Sequence, residues 1–353
     1  LETPYEDERG VDAHYWAVWG ALKIVAENRE AMVRDQFEIY RRGFLDLPQS
    51  LIPDYILAET PDNQYNELTI QEFPAAYVSP ADGSMQLSTH QPSGLVDFLL
   101  FNDVQVDKAD QSFVFEDQNY PKGTYIVWMD QPKRGLANAI LEDGPDVSDI
   151  AEVEFYSPPT AWSHPLLWGV TRARMEEKQS IRTSAVNRAD APSGSVARGK
   201  GDFYAYRPTS LAAFKAANDL LKRGMTLYRA KSSGTFILPA DSSTANELAN
   251  SWALKVFPLD SLPDDAVMLK KRRIAVHGDA GVAIALDELG FEYEQISDDE
   301  LNSSLDLTAY DVFINQDLAW DAPSWAWWAH LDDTGRAGVS AFFNGGGDYI
   351  GLT

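Results

Sequence analysis

The stretch LETPYEDERG VDAHYWAVWG ALKIVAENRE AMVRDQFEIY RR, residues Leu1 to Arg42, predicts the longest helix of the chain. An acidic turn over residues 6–8 precedes it, and Asp12 is the predicted N-cap, because its carboxylate can accept from free N–H groups of the first turn. A helix this long and this aromatic is not stable alone, so it requires a body on which to pack. A chain that begins with Leu and lacks a charged-then-apolar leader is expected to be cut from a longer protein. The residues that define the apolar face are Trp16, Val18, Trp19, Leu22, Val25 and Met32.

The order of elements around this helix resembles one known family. An apolar strand end, a Glu, a short loop and a long final helix are similar to the last segment of zinc carboxypeptidases of the carboxypeptidase A type. The resemblance implies that Glu2 is the general base that activates a zinc-bound water, and a carboxylate can take that proton and return it to the leaving amine. The alternative is that Glu2 is one acidic residue among many at a frayed end.

The zinc ligands of that family are a His-x-x-Glu pair and a later His. None of the five histidines, His14, His90, His164, His277 and His330, has a Glu three residues further on, and the chain has no Cys. No histidine pair has helical ligand spacing either. The resemblance therefore implies that zinc is bound by residues outside this chain. We expect this chain alone to bind no zinc tightly and to show no peptidase turnover.

Composition limits the partners. The chain has 353 residues, a net charge of -25 and a pI of about 4.4, which excludes a general binder of nucleic acid. No apolar run approaches the ~20 residues of a membrane span. The absence of Cys fits an exported bacterial protein, so we expect a periplasmic or extracellular location. The carboxypeptidase resemblance implies a peptide or protein substrate.

The middle of the chain contains two similar α/β patterns. Residues 59–150 and 202–270 each read as strand, helix, strand, strand and helix, after an N-terminal peptidase segment over residues 1–58. Tyr204-Ala-Tyr-Arg-Pro208 matches Ala76-Tyr-Val-Ser-Pro80, and Gly234-Thr-Phe-Ile-Leu238 matches Gly123-Thr-Tyr-Ile-Val127. This repetition predicts a duplicated α/β region. Residues 151–201 form the predicted connector, in which three aromatic residues either line a pocket or fill the seam between two lobes. They are Trp162, His164 and Trp168.

Residues 271–353 predict a doubly wound parallel sheet. Buried strands over 273–277, 291–296 and 311–315 alternate with a helix over 282–289. The glycine loop at Gly278 lacks the full G-x-G-x-x-G spacing, and Asp279 at the helix start argues against an anion.

The C-terminal helix, Gly-Gly-Gly turn and strand resemble the class I glutamine amidotransferase-like fold, which is flavodoxin-like. In active members a Cys nucleophile follows the strand, whereas Leu352 follows Gly351 here. An aliphatic side chain has no nucleophilic atom, so we expect a catalytically inactive domain.

Three functions remain open at this stage. The first is the C-terminal part of a secreted zinc metallocarboxypeptidase with a degenerate amidotransferase-like domain. The second is a non-catalytic module for protein or glycan contact, for which the tryptophans between Trp320 and Trp328 could provide stacking surfaces. The third is a divergent hydrolase that uses Ser or Asp.

Overall fold

The computed structural model describes residues 7–48, 73–81, 85–143, 163–278, 280–303, 305–316 and 327–352. Their fold is mixed α/β, with ten α-helices and several sheets among these residues, one of which is parallel. The chain divides into two compact units: residues 1–87 with 91–190, and residues 88–90 with 191–353. The predicted domain boundaries near residues 58 and 150 lie outside the described residues, and the five-part division stays a prediction.

The first helix, α1, spans Asp7–Phe44, and its predicted start was wrong. Asp12 is an interior residue of α1 and not its N-cap. The physical reason is that the acidic residues before Asp12 favour the positive end of a helix dipole, so they extend the helix instead of forming a turn. At the other end, Arg41 and Arg42 lie in the last turn, where cations are favoured.

A sheet of five strands forms the body of the first unit. The pairing partners are antiparallel throughout. The strands are β1 (Ala76–Ser79), β2 (Asp107–Ala109), β5 (Tyr125–Trp128), β6 (Ala173–Met175) and β7 (Thr183–Ala185), in the order β6-β1-β5-β2-β7. A separate hairpin joins β3 (Phe113–Phe115) to β4 (Gln118–Tyr120). The helices are α2 (His90–Phe101), α3 (Arg134–Leu141) and α4 (His164–Trp168).

The second unit begins with a sheet of six strands. Its order is β13-β10-β11-β9-β12-β8, for β8 (Ser195–Val196), β9 (Phe203–Tyr206), β10 (Tyr228–Ala230), β11 (Phe236–Pro239), β12 (Lys255–Leu259) and β13 (Ala266–Met268). Within this six-stranded sheet β8 and β12 pair in parallel, and the other neighbouring strands pair antiparallel. Two helices, α5 (Leu211–Lys222) and α6 (Ser242–Trp252), cover one face, because the alanines and leucines of both helices share a core with Tyr204 and Tyr206.

Four parallel strands complete the second unit. They are β14 (Ile274–His277), β15 (Tyr293–Gln295), β16 (Val312–Gln316) and β17 (Asp348–Leu352), in the order β15-β14-β16-β17. The helices that follow or precede them are α7 (Ala280–Leu289), α8 (Asp298–Leu301), α9 (Trp327–His330) and α10 (Asp333–Asn344), with a 3-10 turn at Leu307–Ala309.

Apolar side chains of helices pack on both faces of this parallel sheet. Phe313 packs on Phe342 of α10 on one face. Val276 and Ile314 share a core with Leu286 of α7 on the other. Buried strands between two helical layers read as continuous apolar runs, which is why the pattern was recognisable in the sequence. Asn218 of α5 donates to the backbone carbonyl of Leu289 at 2.9 Å, which ties α7 to the preceding sheet domain.

Candidate functional site

The carboxyl ends of the parallel strands form the best candidate site. His277 is the last residue of β14, Asn315 lies near the end of β16, and the paired strands place the two at the same level of the sheet. Ligand sites of open parallel sheets lie outside this edge.

The side chain of His277 is held at both ring nitrogens. Nδ1 lies 2.7 Å from Oδ1 of Asn315, and Nε2 lies 2.8 Å from Oδ1 of Asp298. Asn315 is buried, with 1% exposure, and its Nδ2 donates to the Tyr349 hydroxyl at 3.5 Å. Both ring nitrogens therefore have an oxygen partner, and these two contacts fix the orientation of the imidazole.

Asp298 connects two histidines. Its second oxygen, Oδ2, lies 3.2 Å from Nδ1 of His330, the last residue of α9. Asp298 is the first residue of α8, where a carboxylate is favoured by the helix dipole. We call His277, Asp298, Asn315 and His330 the histidine–aspartate cluster.

The start of α8 is fixed by a capping box. Ser297 accepts from the backbone N–H of Glu300, and the Glu300 carboxylate accepts from the backbone N–H and the hydroxyl of Ser297. The hydrogen bond from the Ser297 backbone N–H is the main cause that holds the pKa of Glu300 below its ordinary value, and the bond from the Ser297 hydroxyl adds to it. The cap therefore sets the position from which Asp298 reaches His277.

Gly278 allows the close packing beneath the cluster. It has a φ of +125°, and a Cβ built there would lie 2.8 Å from both the Cβ and the carbonyl oxygen of Gln316. Any other residue would push β14 and β16 apart at the level of His277. The carboxamide oxygen of Gln316 is buried and has no hydrogen-bond partner among the described residues.

Trp327 packs against the cluster, whereas Trp328 remains partly exposed. The Trp327 ring lies 6.0 Å from that of His277 and 5.8 Å from that of Phe313, and it packs on the core of this sheet. Trp328 is 42% exposed. Trp320 and Trp325 lie outside the described residues. Of the two described tryptophans, Trp327 therefore packs on the sheet core, and Trp328 has a partly exposed ring.

The other predicted site residues that the structure describes do not join the cluster. Glu2, the predicted general base, lies outside the described residues, as does Trp162. His164 and Trp168 belong to the first unit, where both contact Phe98, with ring centroids 4.9 and 5.6 Å away. Leu352 is the last residue of β17 and pairs with Gln316, so the predicted elbow position does lie at the carboxyl edge.

The cluster was not predicted from the sequence, although two of its residues stand at positions that indicate it. His277 and Asn315 each stand at the end of a strand that the sequence predicted, and parallel strands bring such ends together. The contributions of Asp298 and His330 come from short helices whose positions follow only from tertiary packing.

The donor set of the described residues does not fit a zinc site. No group of three or more His, Asp or Glu side chains in the described ranges converges as metal ligands require. His90, for example, uses Nε2 against the carbonyl of Trp252 at 3.0 Å. The cluster itself uses the Asp298 oxygens for the two imidazoles.

A second candidate surface lies on α1. Ten large side chains recur at helical spacing on one face, and each is at least 47% exposed, although most soluble helices bury such a face. We call this set the apolar stripe: Val11, Tyr15, Val18, Trp19, Leu22, Val25, Met32, Val33, Phe37 and Phe44.

The last turns of α1 contact the rest of the first unit. A Cβ on the buried Gly43 would lie 2.3 Å from the carbonyl oxygen of Gln131, and the Lys133 ammonium lies 5.5 Å from the centre of the Tyr40 ring. No helix within the described ranges has the length and the unbroken apolar character required to cross a bilayer.

No family model, no curated protein and no solved structure matches this chain. The chemistry of the site must therefore be argued from its own residues. The cluster has a histidine and a carboxylate in contact, and Leu352, at the predicted elbow position, has an aliphatic side chain.

Proposed function

We propose that this chain is the C-terminal part of a zinc metallocarboxypeptidase-like protein that removes C-terminal residues from peptides outside the cytoplasm. The observation that carries the proposal is the apolar stripe of α1. A helix that exposes Trp19, Leu22 and Phe37 in water is a helix that lacks the surface on which it packs. In the family that the N-terminal sequence resembles, the corresponding helix packs on the catalytic body.

The width of the stripe supports a body rather than a single partner helix. At 100° per residue the stripe covers a sector of about 140°. A two-stranded coiled coil uses a narrower seam of two positions per heptad, whereas a helix on a globular core buries three or more. In α1 the positions of Trp19 and Val33 broaden the two-position seam defined by Val18, Leu22, Val25 and Met32.

In this proposal Glu2 is the general base, and zinc is held by residues of the catalytic body. The described residues do not fit the metal, so we assign no zinc ligand and no step through zinc to them. A carboxylate at the position of Glu2 would take a proton from water and return it to the leaving amine.

The remaining domains are proposed to be accessory. The strand order β6-β1-β5-β2-β7 corresponds strand by strand to β12-β9-β11-β10-β13, with antiparallel pairing in both. We infer that the two regions are copies of one split β-α-β unit. The order β15-β14-β16-β17 agrees with a flavodoxin-like, amidotransferase-like sheet in which Leu352 replaces the nucleophile.

The test compares this chain with the full-length protein expressed from its gene. We expect the full-length protein to contain one zinc per molecule, measured by mass spectrometry of the metal, and to shorten peptides that have a free C-terminal carboxylate. Glu2→Gln should abolish this hydrolysis, whereas Glu6→Gln, a matched change four residues away, should leave it. A full-length protein that neither binds zinc nor shortens such peptides would refute the proposal.

The second candidate is a non-catalytic module for protein or glycan contact. The observation that favours it is the exposed ring of Trp328 beside a cluster whose members include no hydroxyl or thiol side chain. The Arg336 guanidinium lies 6.0 Å from the centre of that ring. If Trp328→Ala weakens capture on a peptide or glycan array while the full-length protein shows no zinc-dependent hydrolysis, this second function replaces the first.

A further inference from the structure

Arg29 is the one charged residue at the centre of the apolar stripe. At helical spacing its nearest neighbours on the same face are Val25, Ala26, Met32 and Val33, at positions three and four residues away in each direction. None of these side chains can accept a hydrogen bond. Within the described residues Arg29 forms no ion pair, and its side chain is exposed.

The charged residues on the opposite side of α1 are arranged differently. Arg34 has Glu30 and Glu38 four residues away on either side. Lys23 pairs with Glu27 at 3.8 Å, and Arg41 pairs with Glu38 at 2.7 Å. The helix therefore supplies carboxylates for cations on its solvent side and none for Arg29.

We infer that the surface which covers α1 is an apolar groove that carries a carboxylate opposite Arg29. This inference rests on the proposed function, since it assumes that a protein body buries the stripe. A guanidinium that becomes buried must be paired, because an unpaired charge in an apolar contact is strongly unfavourable. As α1 has no carboxylate three or four residues from Arg29, we assign the acceptor to the covering surface. A planar guanidinium favours a carboxylate, which it can bind through two parallel hydrogen bonds.

The ion pair would also fix the register of docking. Arg29 lies about 10 Å along the helix from Leu22 and about 12 Å from Phe37, at 1.5 Å per residue. Apolar contacts alone would allow α1 to shift by one turn along the covering surface. A single buried ion pair forms at only one position of the helix. Single polar residues at apolar helix interfaces specify register in the same way.

Two matched pairs of substitutions test the inference in the full-length protein. Leu22→Gln and Ile24→Gln change residues that are both 60% exposed in this chain, but only Leu22 lies on the stripe. Arg29→Met and Arg34→Met remove the same charge from the stripe and from the opposite side. The measurement is chemical unfolding, together with size-exclusion chromatography combined with light scattering.

We expect Leu22→Gln and Arg29→Met to raise the unfolding equilibrium constant of the full-length protein, the latter by about 100-fold or more, since breaking a buried pair leaves its partner unpaired. Arg29→Lys should raise this constant by an intermediate amount, since Lys keeps the charge but cannot form two parallel hydrogen bonds. For Ile24→Gln and Arg34→Met the unfolding equilibrium constant should stay close to that of the unchanged protein. In this chain alone, where the stripe is exposed, all four variants should unfold alike.

The outcomes separate the inference from the function on which it rests. If Leu22→Gln destabilises the protein while Arg29→Met has no effect or stabilises it, the stripe is buried but its partner has no carboxylate, and the inference fails alone. If Leu22→Gln and Ile24→Gln behave alike, the stripe is not an interface, and both fail. A concentration-dependent dimer of this chain that Leu22→Gln abolishes would show that a second copy covers the stripe, which also overturns the inference.

Discussion

Replacing Gly278 by Ala is the sharpest test of the candidate site. Two features of this glycine oppose a side chain. Its φ of +125° lies in a region that other residues rarely adopt, and the added Cβ would lie 2.8 Å from two atoms of Gln316, one of them a backbone oxygen. The second contact cannot be relieved by rotating a side chain, so the ends of β14 and β16 must separate.

The expected loss of stability follows from these two terms. Backbone strain at such a φ costs about 1–3 kcal/mol, and forcing extra volume into a packed site costs about 1–3 kcal/mol. The lower entropy of Ala in the unfolded chain offsets about 0.4–1 kcal/mol. We expect a net loss of about 3 kcal/mol in the local free energy of unfolding.

Gly290→Ala is the matched control in the same domain. Gly290 also has a positive φ, +73°, but a Cβ there would meet nothing within 4 Å. Gly290→Ala should therefore lose only the free energy of backbone strain, about 1 kcal/mol. Hydrogen exchange of the β14 and β16 amides, read by mass spectrometry, measures both variants. Equal protection in the two variants would refute the close approach of Gly278 to Gln316.

Three further outcomes are expected. Asn315→Leu leaves Nδ1 of His277 without its hydrogen-bond partner and should cost about 1–3 kcal/mol in urea unfolding; no loss would mean that the hydrogen bond is not formed. Tyr206→Phe removes a buried hydroxyl that has no partner among the described residues, so stability should be unchanged or slightly higher; a clear loss would reveal a bonded hydroxyl. Burial raises the pKa of Tyr77 from 10.0 to about 12, so the unfolded chain releases this proton first, and stability should fall as the pH rises from 10 to 12. Tyr77→Phe should reduce that fall, and an unchanged pH profile in this variant would contradict the assignment.

The sequence predicted elements best where local signals were strong. The sequence predicts a helix over 134–141 and a strand over 255–259, and the structure has both with these bounds, Arg134–Leu141 and Lys255–Leu259. Each is a short apolar pattern enclosed by polar or breaking residues. The hairpin of β3 and β4 was missed. Its turn residues Glu116 and Asp117 have φ values of 49° and 58°, and neither is the glycine or asparagine that usually marks such a turn.

The candidate site was less accessible from sequence than the fold around it. His277 and Asn315 could have been placed at one sheet edge by the parallel pattern alone. The pairing of Asp298 with two histidines depends on how α8 and α9 pack, and no periodicity in the chain encodes that. Glu2 shows the opposite case, because a family pattern suggested a role that the described residues do not test.

The anchoring of α1 at Gly43 has a mechanical consequence. A helix of 38 residues is about 57 Å long, and its described contacts with the rest of the first unit, at Tyr40 and Gly43, lie near one end. A change of 10° in its direction at that end would displace the opposite end by about 10 Å, since displacement scales with length. A larger side chain at Gly43 would therefore change the direction of the α1 axis. The resulting displacement would be small near Gly43 and large at Val11, near the opposite end of the helix.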